Sequence, residues 1–380
     1  MGRAHGAETT GEDLHVDVST IDRPLFENRR ERLKALLAAE GVPALLVSYP
    51  ANRFYLSGFE QHDSQCNESV GWLVVTASGR DALFTDARFT DAALRLWAQE
   101  DLCIYGSKGG AGRHAAMAEF LKGRGVATLG FDPKAVSVFD FDALREHFGL
   151  TPAEGLVERL RLIKEPGEVE LLRAACGLNH RIMRALPDVL TPGMTEAEAA
   201  WQIERLFREA GAEGLSFPSI VGVDKNAALP HAIPGETRIG RDCLVLVDAG
   251  CRLCGYCSDQ TRTFWVGHEP SERFQDTKRL VVNAQKAAMA AIKPGVKIAE
   301  AYHAAHRVFE DAGVAGQFTH SLGHGIGLET HEGPSLAPRT EGEFRPGMVV
   351  TVEPGLYDAA WGGVRWEYMV VVTEEGCKAL

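Results

Sequence analysis

Two strongly apolar strands in the second half of this chain each run into a carboxylate: Cys243-Leu244-Val245-Leu246-Val247 into Asp248, and Met348-Val349-Val350-Thr351-Val352 into Glu353. Side chains alternate across a strand, so Leu244, Leu246 and Asp248 share one face, as do Thr351 and Glu353. A returning strand follows each, opened by a second carboxylate: Asp259 ahead of Thr261 and Thr263, and Glu367 beside Met369. Each pair is a hairpin able to bring two carboxylates to one centre. Any one of the four alone reads as a solvated strand-end residue. Jointly they do not, because an ionised carboxylate ending an apolar strand is costly unless paired. Four that converge repel one another and need compensating positive charge. Two divalent cations would supply it, and oxygen-rich ligation favours hard ions of the manganese, magnesium or cobalt kind over a thiolate zinc site.

The missing nitrogen ligand is expected in the segment Thr319 to Pro334, where His320, His324 and His331 fall among Gly323, Gly325, Gly327 and Gly333. Glycines there let the backbone approach something closely. A further histidine, His231, follows the stretch Asn226-Ala227-Ala228-Leu229-Pro230; taken alone it reads as a loop residue.

The rest of the chain frames these hairpins as an α/β protein. Its 380 residues suffice for one large or two medium domains. Before about residue 160 the pattern mixes strands and helices without a convergent catalytic set. The periodicity predicts a helix over 25–40, a strand over 44–49 and a loop over 52–59. A hairpin follows over 72–76 and 82–85, then helical stretches over 94–97 and 114–122 around a Gly-rich turn at 106–112. That turn lacks the spacing of a phosphate loop. Past Glu165 a helix runs from Glu168 to about Arg184, and Thr195-Glu196-Ala197-Glu198 opens another as a capping box. Further helices fit 274–292 and 298–311. The expected division is a polar tail over 1–24, a first domain over 25–164 and a catalytic domain over 165–380.

With 40 Lys+Arg against 52 Asp+Glu the net charge is -12, which argues against nucleic acid and anionic membranes as partners. No run has the length of a spanning helix, and 1–22 lacks a signal-like apolar stretch, so a cytoplasmic location is expected. Eight cysteines then read as reduced thiols. Cys251, Cys254 and Cys257 have a cluster-like spacing, but the fourth thiolate of an iron–sulfur site is missing.

The set Val247-Asp248-Ala249-Gly250, Tyr256 to Thr263, Gly323-His324-Gly325-Ile326-Gly327, Val352-Glu353-Pro354-Gly355 and Gly363-Val364-Arg365-Trp366-Glu367 resembles the creatinase/prolidase/aminopeptidase P family. Weaker likeness at Asn52 to Phe59 and Thr85 to Phe89 extends it to the first half. The resemblance implies a small creatinase-like N-terminal α/β domain and a pita-bread catalytic domain with pseudo-twofold halves. It implies two divalent metal ions, Mn2+ first and Co2+ or Zn2+ next, held by Asp248, Asp259, His324, Glu353 and Glu367. Where relatives often carry Arg-x-Glu-Asp, this chain has Arg365-Trp366-Glu367-Tyr368, and Gly222-Val223-Asp224-Lys225 is also atypical.

The implied activity is hydrolysis of Xaa-Pro dipeptides by a metal-bridging hydroxide, with Glu353 moving the proton. His231 and His331 would hold the carbonyl and stabilise the oxyanion, with His320 as a further contact. Arg365 would bind a substrate carboxylate or pair with a ligand carboxylate, and Arg339 is a second candidate for the substrate. An Xaa-Pro bond needs its own enzyme because its nitrogen has no N–H and sits in a rigid ring. The alternatives are aminopeptidase P action on longer Xaa-Pro peptides, a non-catalytic binding protein, and a hydrolase or lyase of a small non-peptide acid. The expected partners are small peptides with proline second, and relatives imply a homodimer.

Overall fold

Alternation with both faces apolar marks Ala44–Val47 and Gly71–Thr76 as central strands, and they stand in the middle of a six-stranded mixed sheet. Its order is Leu102–Tyr105, Ala82–Asp86, Gly71–Thr76, Ala44–Val47, Thr128–Phe131, Gly149–Pro152. This computed structural model describes residues 23–63, 65, 68–106 and 112–380. The expected tail over 1–24 therefore lies almost wholly outside the described residues, as do Cys66 and most of the Gly-rich turn. On one face Leu45, Val47, Leu73 and Val75 pack with Leu33 and Leu37 of the helix Arg23–Ala39. On the other, Leu46, Trp72 and Val74 pack with Met117, Leu121 and Leu144 from Arg113–Lys122 and Val138–Arg145. Two-sided burial explains why these strands read as near-continuous apolar runs.

One expectation fails here. The loop over 52–59 is mostly a helix, Pro50–Ser57, with proline in its first turn and Gly58 closing it at φ 71 while donating to the Phe54 carbonyl. Proline first and left-handed glycine last are helix punctuation; at eight residues, the apolar stripe between them was too short to register. The strands Leu102–Tyr105, Thr128–Phe131 and Gly149–Pro152 and the helices Val138–Arg145 and Leu156–Arg161 were also not foreseen, and all are short.

The second half repeats one motif. Helices Pro166–Val189 and Glu196–Glu209 precede the strands Cys243–Ala249 and Gln260–Val266, and helices Glu272–Ala291 and Ile298–Asp311 precede Val349–Val352 and Tyr368–Thr373. The capping box forms as expected: Thr195 Oγ1 accepts the Glu198 N–H at 3.1 Å and the Glu198 carboxylate accepts the Thr195 N–H at 2.8 Å. Both strand pairs are antiparallel, with Asp248 opposite Thr261 and Thr351 opposite Met369. Ile182, Leu186, Ile203 and Phe207 of the first helix pair pack on Val245 and Val247. Phe274, Val281 and Phe309 of the second pack on Leu244, Leu246, Val350 and Val352. This is the two-halved arrangement the resemblance implied. A ribbon of Gly355–Asp358 and Gly362–Arg365, unforeseen, is inserted into the second hairpin. Among the described residues, no helix is long and apolar enough to cross a membrane.

Candidate metal centre

The two hairpins deliver their carboxylates to one place. Asp248 is the penultimate residue of Cys243–Ala249, Asp259 precedes Gln260–Val266, Glu353 follows Val349–Val352, and Glu367 joins the inserted ribbon to Tyr368–Thr373. The ribbon docks on the first hairpin: Arg365 N–H donates to Thr263 Oγ1 at 3.2 Å and Glu367 N–H to the Thr261 carbonyl at 3.2 Å. His324 opens a two-residue strand whose Gly325 pairs with Val350. A side chain at Gly323 would put its Cβ 2.1 Å from the Thr351 carbonyl oxygen, so glycine is what lets the histidine loop lie against that strand.

Asp248, Asp259 and Glu367 each bring one carboxylate oxygen within 4.8 Å of the others, and all three are buried. Asp248 Oδ1, Asp259 Oδ1 and Glu367 Oε1 have no hydrogen-bond partner. Orphaned buried oxygens are rare and costly, and three in one acidic cluster are what a cation would satisfy. His324 fits the same role. Its Nδ1 lies 3.0 Å from the Gly325 carbonyl and must donate to it, leaving Nε2 facing Glu353 Oε1 at 3.3 Å and Asp259 Oδ2 at 3.6 Å.

Burial, then the charges of Glu367, Asp248 and Glu353, push the Asp259 carboxyl well above the usual range. Burial and the charges of Glu353 and Asp248 do the same to Glu367. Glu353 goes the other way: burial raises it, but the His324 hydrogen bond and the charges of His324 and Arg365 outweigh that and hold it at about 2. His324 is raised, burial being outweighed by its bond to Glu353. Such divergence among adjacent carboxyls is characteristic of functional sites.

Arg365 adds a positive charge to the centre. Its buried guanidinium donates to Asp248 Oδ2 at 2.7 Å, Thr261 Oγ1 at 2.9 Å, Tyr357 Oη at 2.8 Å and the Pro230 carbonyl at 3.2 Å. Of the two roles left open for it, the structure gives the ion pair with a cluster carboxylate and not a guanidinium free for substrate. Thr261 in turn donates to Glu367 Oε2 at 2.8 Å, and Thr351 to Glu353 Oε1 at 3.3 Å. These threonines were not singled out, although strand alternation had put them on the carboxylate face.

The other expected residues divide. His331 stands beside His324, ring centroids 4.3 Å apart and planes at 73°; burial and the neighbouring His324 lower its pKa. His231 is exposed, on the turn that the Pro230–Arg365 bond ties to the site. His320 has no free nitrogen: Nδ1 donates to the Ser321 carbonyl at 2.7 Å, and burial keeps the ring neutral, so Nε2 accepts from Tyr357 Oη at 2.8 Å. It buttresses Tyr357 and Arg365 and does not face a substrate through its nitrogens. Tyr357 carried no local signal. Arg339 is exposed and takes part in none of these contacts.

Two sequence oddities find places. Tyr368 and Trp366 flank Glu367, and the Arg262 guanidinium lies 4.4 Å from each ring centroid while donating to the Glu367 carbonyl. The clustered cysteines do not converge: Cys251 Sγ faces the Ala175 carbonyl and Cys257 Sγ the Leu328 carbonyl. A cavity of about 1040 Å³ is lined by residues from both halves of the chain, among them Tyr49, Lys134, Arg161, Glu329, Arg345 and, from the expected site residues, His331.

Metallopeptidase family M24 matches residues 170–374, and the Creatinase/Prolidase N-terminal domain matches 29–163. The chain belongs to metallopeptidase family M24. It is 34% identical to the Xaa-Pro dipeptidase of Pyrococcus horikoshii over 360 residues, 94% of this chain and 97% of that one. Among solved structures, an Xaa-Pro dipeptidase from Bacillus anthracis superposes with a TM-score of 0.86 at 32% identity, covering 93% of this chain and 97% of that one. An X-Pro aminopeptidase from Thermotoga maritima gives 0.81 at 29%, covering 92% and 97%. M24 membership implies a divalent metal cofactor, which the orphaned carboxylate oxygens and His324 Nε2 suit.

Proposed function

We propose that this M24 chain hydrolyses Xaa-Pro dipeptides with two divalent cations held by Asp248, Asp259, His324, Glu353 and Glu367. The observation that carries the reading is the cluster of three buried carboxylates with unpartnered oxygens beside a histidine whose Nδ1 is held by the Gly325 carbonyl and whose Nε2 faces the carboxylates. Cations bound there supply a water of lowered pKa and a polarised carbonyl. Glu353 is the base that accepts the proton of the attacking water and returns it to the proline nitrogen. His331, neutral near pH 7, offers an N–H to the oxygen that gains charge, and His231 closes the other side. Arg365 fixes one oxygen of Asp248, and Thr261 one oxygen of Glu367. The similarity to Xaa-Pro dipeptidases over nearly the full length supports the substrate.

A second reading, release of the first residue from longer Xaa-Pro peptides, draws on two observations. The cavity that His331 helps to line has a volume of about 1040 Å³, and the Arg365 guanidinium is already paired with Asp248. A panel of Xaa-Pro, Xaa-Pro-amide and Xaa-Pro-Yaa on manganese-loaded protein, read by product mass, tests both. The dipeptide reading expects Xaa-Pro to be cleaved at least about tenfold better than the extended peptides. Faster tripeptide cleavage favours the second reading, and cleavage of none removes both.

A further inference from the structure

The segment carrying His331 is tied down by side chains from outside the residues that match family M24, Arg161 foremost among them. Arg161 ends the helix Leu156–Arg161 and is 3% exposed. Its Nη2 donates to Glu329 Oε2 at 2.8 Å and to Glu332 Oε1 at 2.6 Å, bracketing His331, while Nη1 donates to Asn52 Oδ1 at 2.6 Å. Lys164 adds a bond to Glu332 Oε2 at 3.1 Å, and Glu332 Oε1 also accepts the Glu329 N–H at 3.1 Å. The Glu332 carboxylate lies 2.6 Å from where a Cβ at Gly327 would stand, so a side chain there would push the carboxylate aside. The Tyr49 hydroxyl donates to the Glu329 carboxylate, and Gln61 Nε2 donates to the Leu328 carbonyl at 3.0 Å.

Arg161 and Lys164 together balance Glu329 and Glu332, so losing any one of the four leaves a charge uncompensated. The fork geometry of arginine lets one group hold both ends of a four-residue segment, which a lysine's point charge does less well. His331 projects from that segment beside His324. A misplacement of about 1 Å at a catalytic group costs on the order of a hundredfold in rate.

We infer that Arg161 is a positioning residue for His331, through which the N-terminal domain sets the alignment of the M24 site. The inference rests on the catalytic role proposed above for His331. A mere interdomain staple would lower stability without acting through that ring.

The test is steady-state kinetics on metal-saturated protein with Arg161→Met, Arg161→Lys and His331→Ala, singly and in combination, together with metal content and amide exchange. Arg161→Met should lower kcat roughly ten- to a hundredfold with KM and metal content unchanged, and Arg161→Lys should restore part of it. Amide exchange should quicken in residues 327–334. In the His331→Ala background Arg161→Met should cause no further loss, because both act through one group. Should Arg161→Met not fold, Glu329→Gln removes one leg of the bridge and must show the same dependence on His331. An equal fold-loss in both backgrounds overturns the inference and leaves the role of His331 intact. A silent His331→Ala overturns both.

Discussion

Arg365 Nη2 lies 2.7 Å from Asp248 Oδ2 across 117 residues of sequence, and leaves Asp248 Oδ1 without a partner. One carboxylate is thereby divided between a protein cation, which fixes its orientation, and an oxygen directed to the cluster. The pair is buried on both sides, at 2% and 10% side-chain exposure.

Breaking that pair should be expensive. Arg365→Met leaves Asp248 beside three other carboxylates without its counter-charge, which costs about 3–5 kcal/mol for a buried pair. Urea unfolding measures it, and adding Asp248→Asn should recover part of the loss. A cost under about 1 kcal/mol would show that solvent already screens the pair.

Metal content follows from the orphaned oxygens. Elemental analysis should find about two divalent ions per chain. Asp259→Ala and Glu367→Ala should each abolish activity and lower that number. Metal at a hundredfold excess over its Kd should stabilise the fold by about 2.7 kcal/mol for each site filled, read as a rise in Tm that a chelator reverses. A chelator without effect on activity or Tm would remove the metal mechanism.

The adjacent histidines should separate by phenotype. His324→Ala should lose metal. His331→Ala should keep it while kcat falls roughly a hundredfold or more, as for an oxyanion donor. Equal metal loss in both would mean that ligand and catalytic histidine are exchanged.

The Arg161 bridge has an acid signature. Burial raises the Glu332 carboxyl, but Lys164 and Arg161 outweigh it and hold it at about 2, below the ordinary 4.5. Between those values the unfolded chain binds more protons than the folded one, so stability rises with pH through the window. The contribution is complete above about pH 4.5 and is lost as pH falls toward 2, on the order of 3 kcal/mol in all. Glu332→Gln should flatten the unfolding free energy between pH 4.5 and 2 relative to the unsubstituted protein. An unchanged slope would mean the bridge carries no such linkage.

Much of the centre was legible because its signals are local. The period-two alternation of Cys243–Ala249 and Val349–Val352 announced which face Asp248 and Glu353 would take, and charge repulsion argued that the four carboxylates need cations. Gly323 and Gly325 signalled close backbone approach, and the approach is to Thr351 and Gly333. The helix Pro50–Ser57 was missed although its Pro50 and Gly58 punctuation was in plain view, because eight residues offer too little periodicity to compete with a loop reading.

By itself, then, the sequence determined what backbone geometry and short-range energetics decide: the capping box at Thr195 and Glu198, the strand faces, the two-halved order of helix and strand pairs, and the acidic residues that meet at the centre. Tertiary structure alone decided which partner each buried charge takes. Arg365 turned to Asp248 and away from substrate, His320 was drawn into a chain with Tyr357 and Arg365, and Arg161 reached Glu329 and Glu332 across 168 and 171 residues. Ion pairs between distant segments leave no periodic trace. A buried charge requires some counter-charge, and the sequence offers 40 basic and 52 acidic residues to choose from; only the packed chain brings one of them within 3 Å.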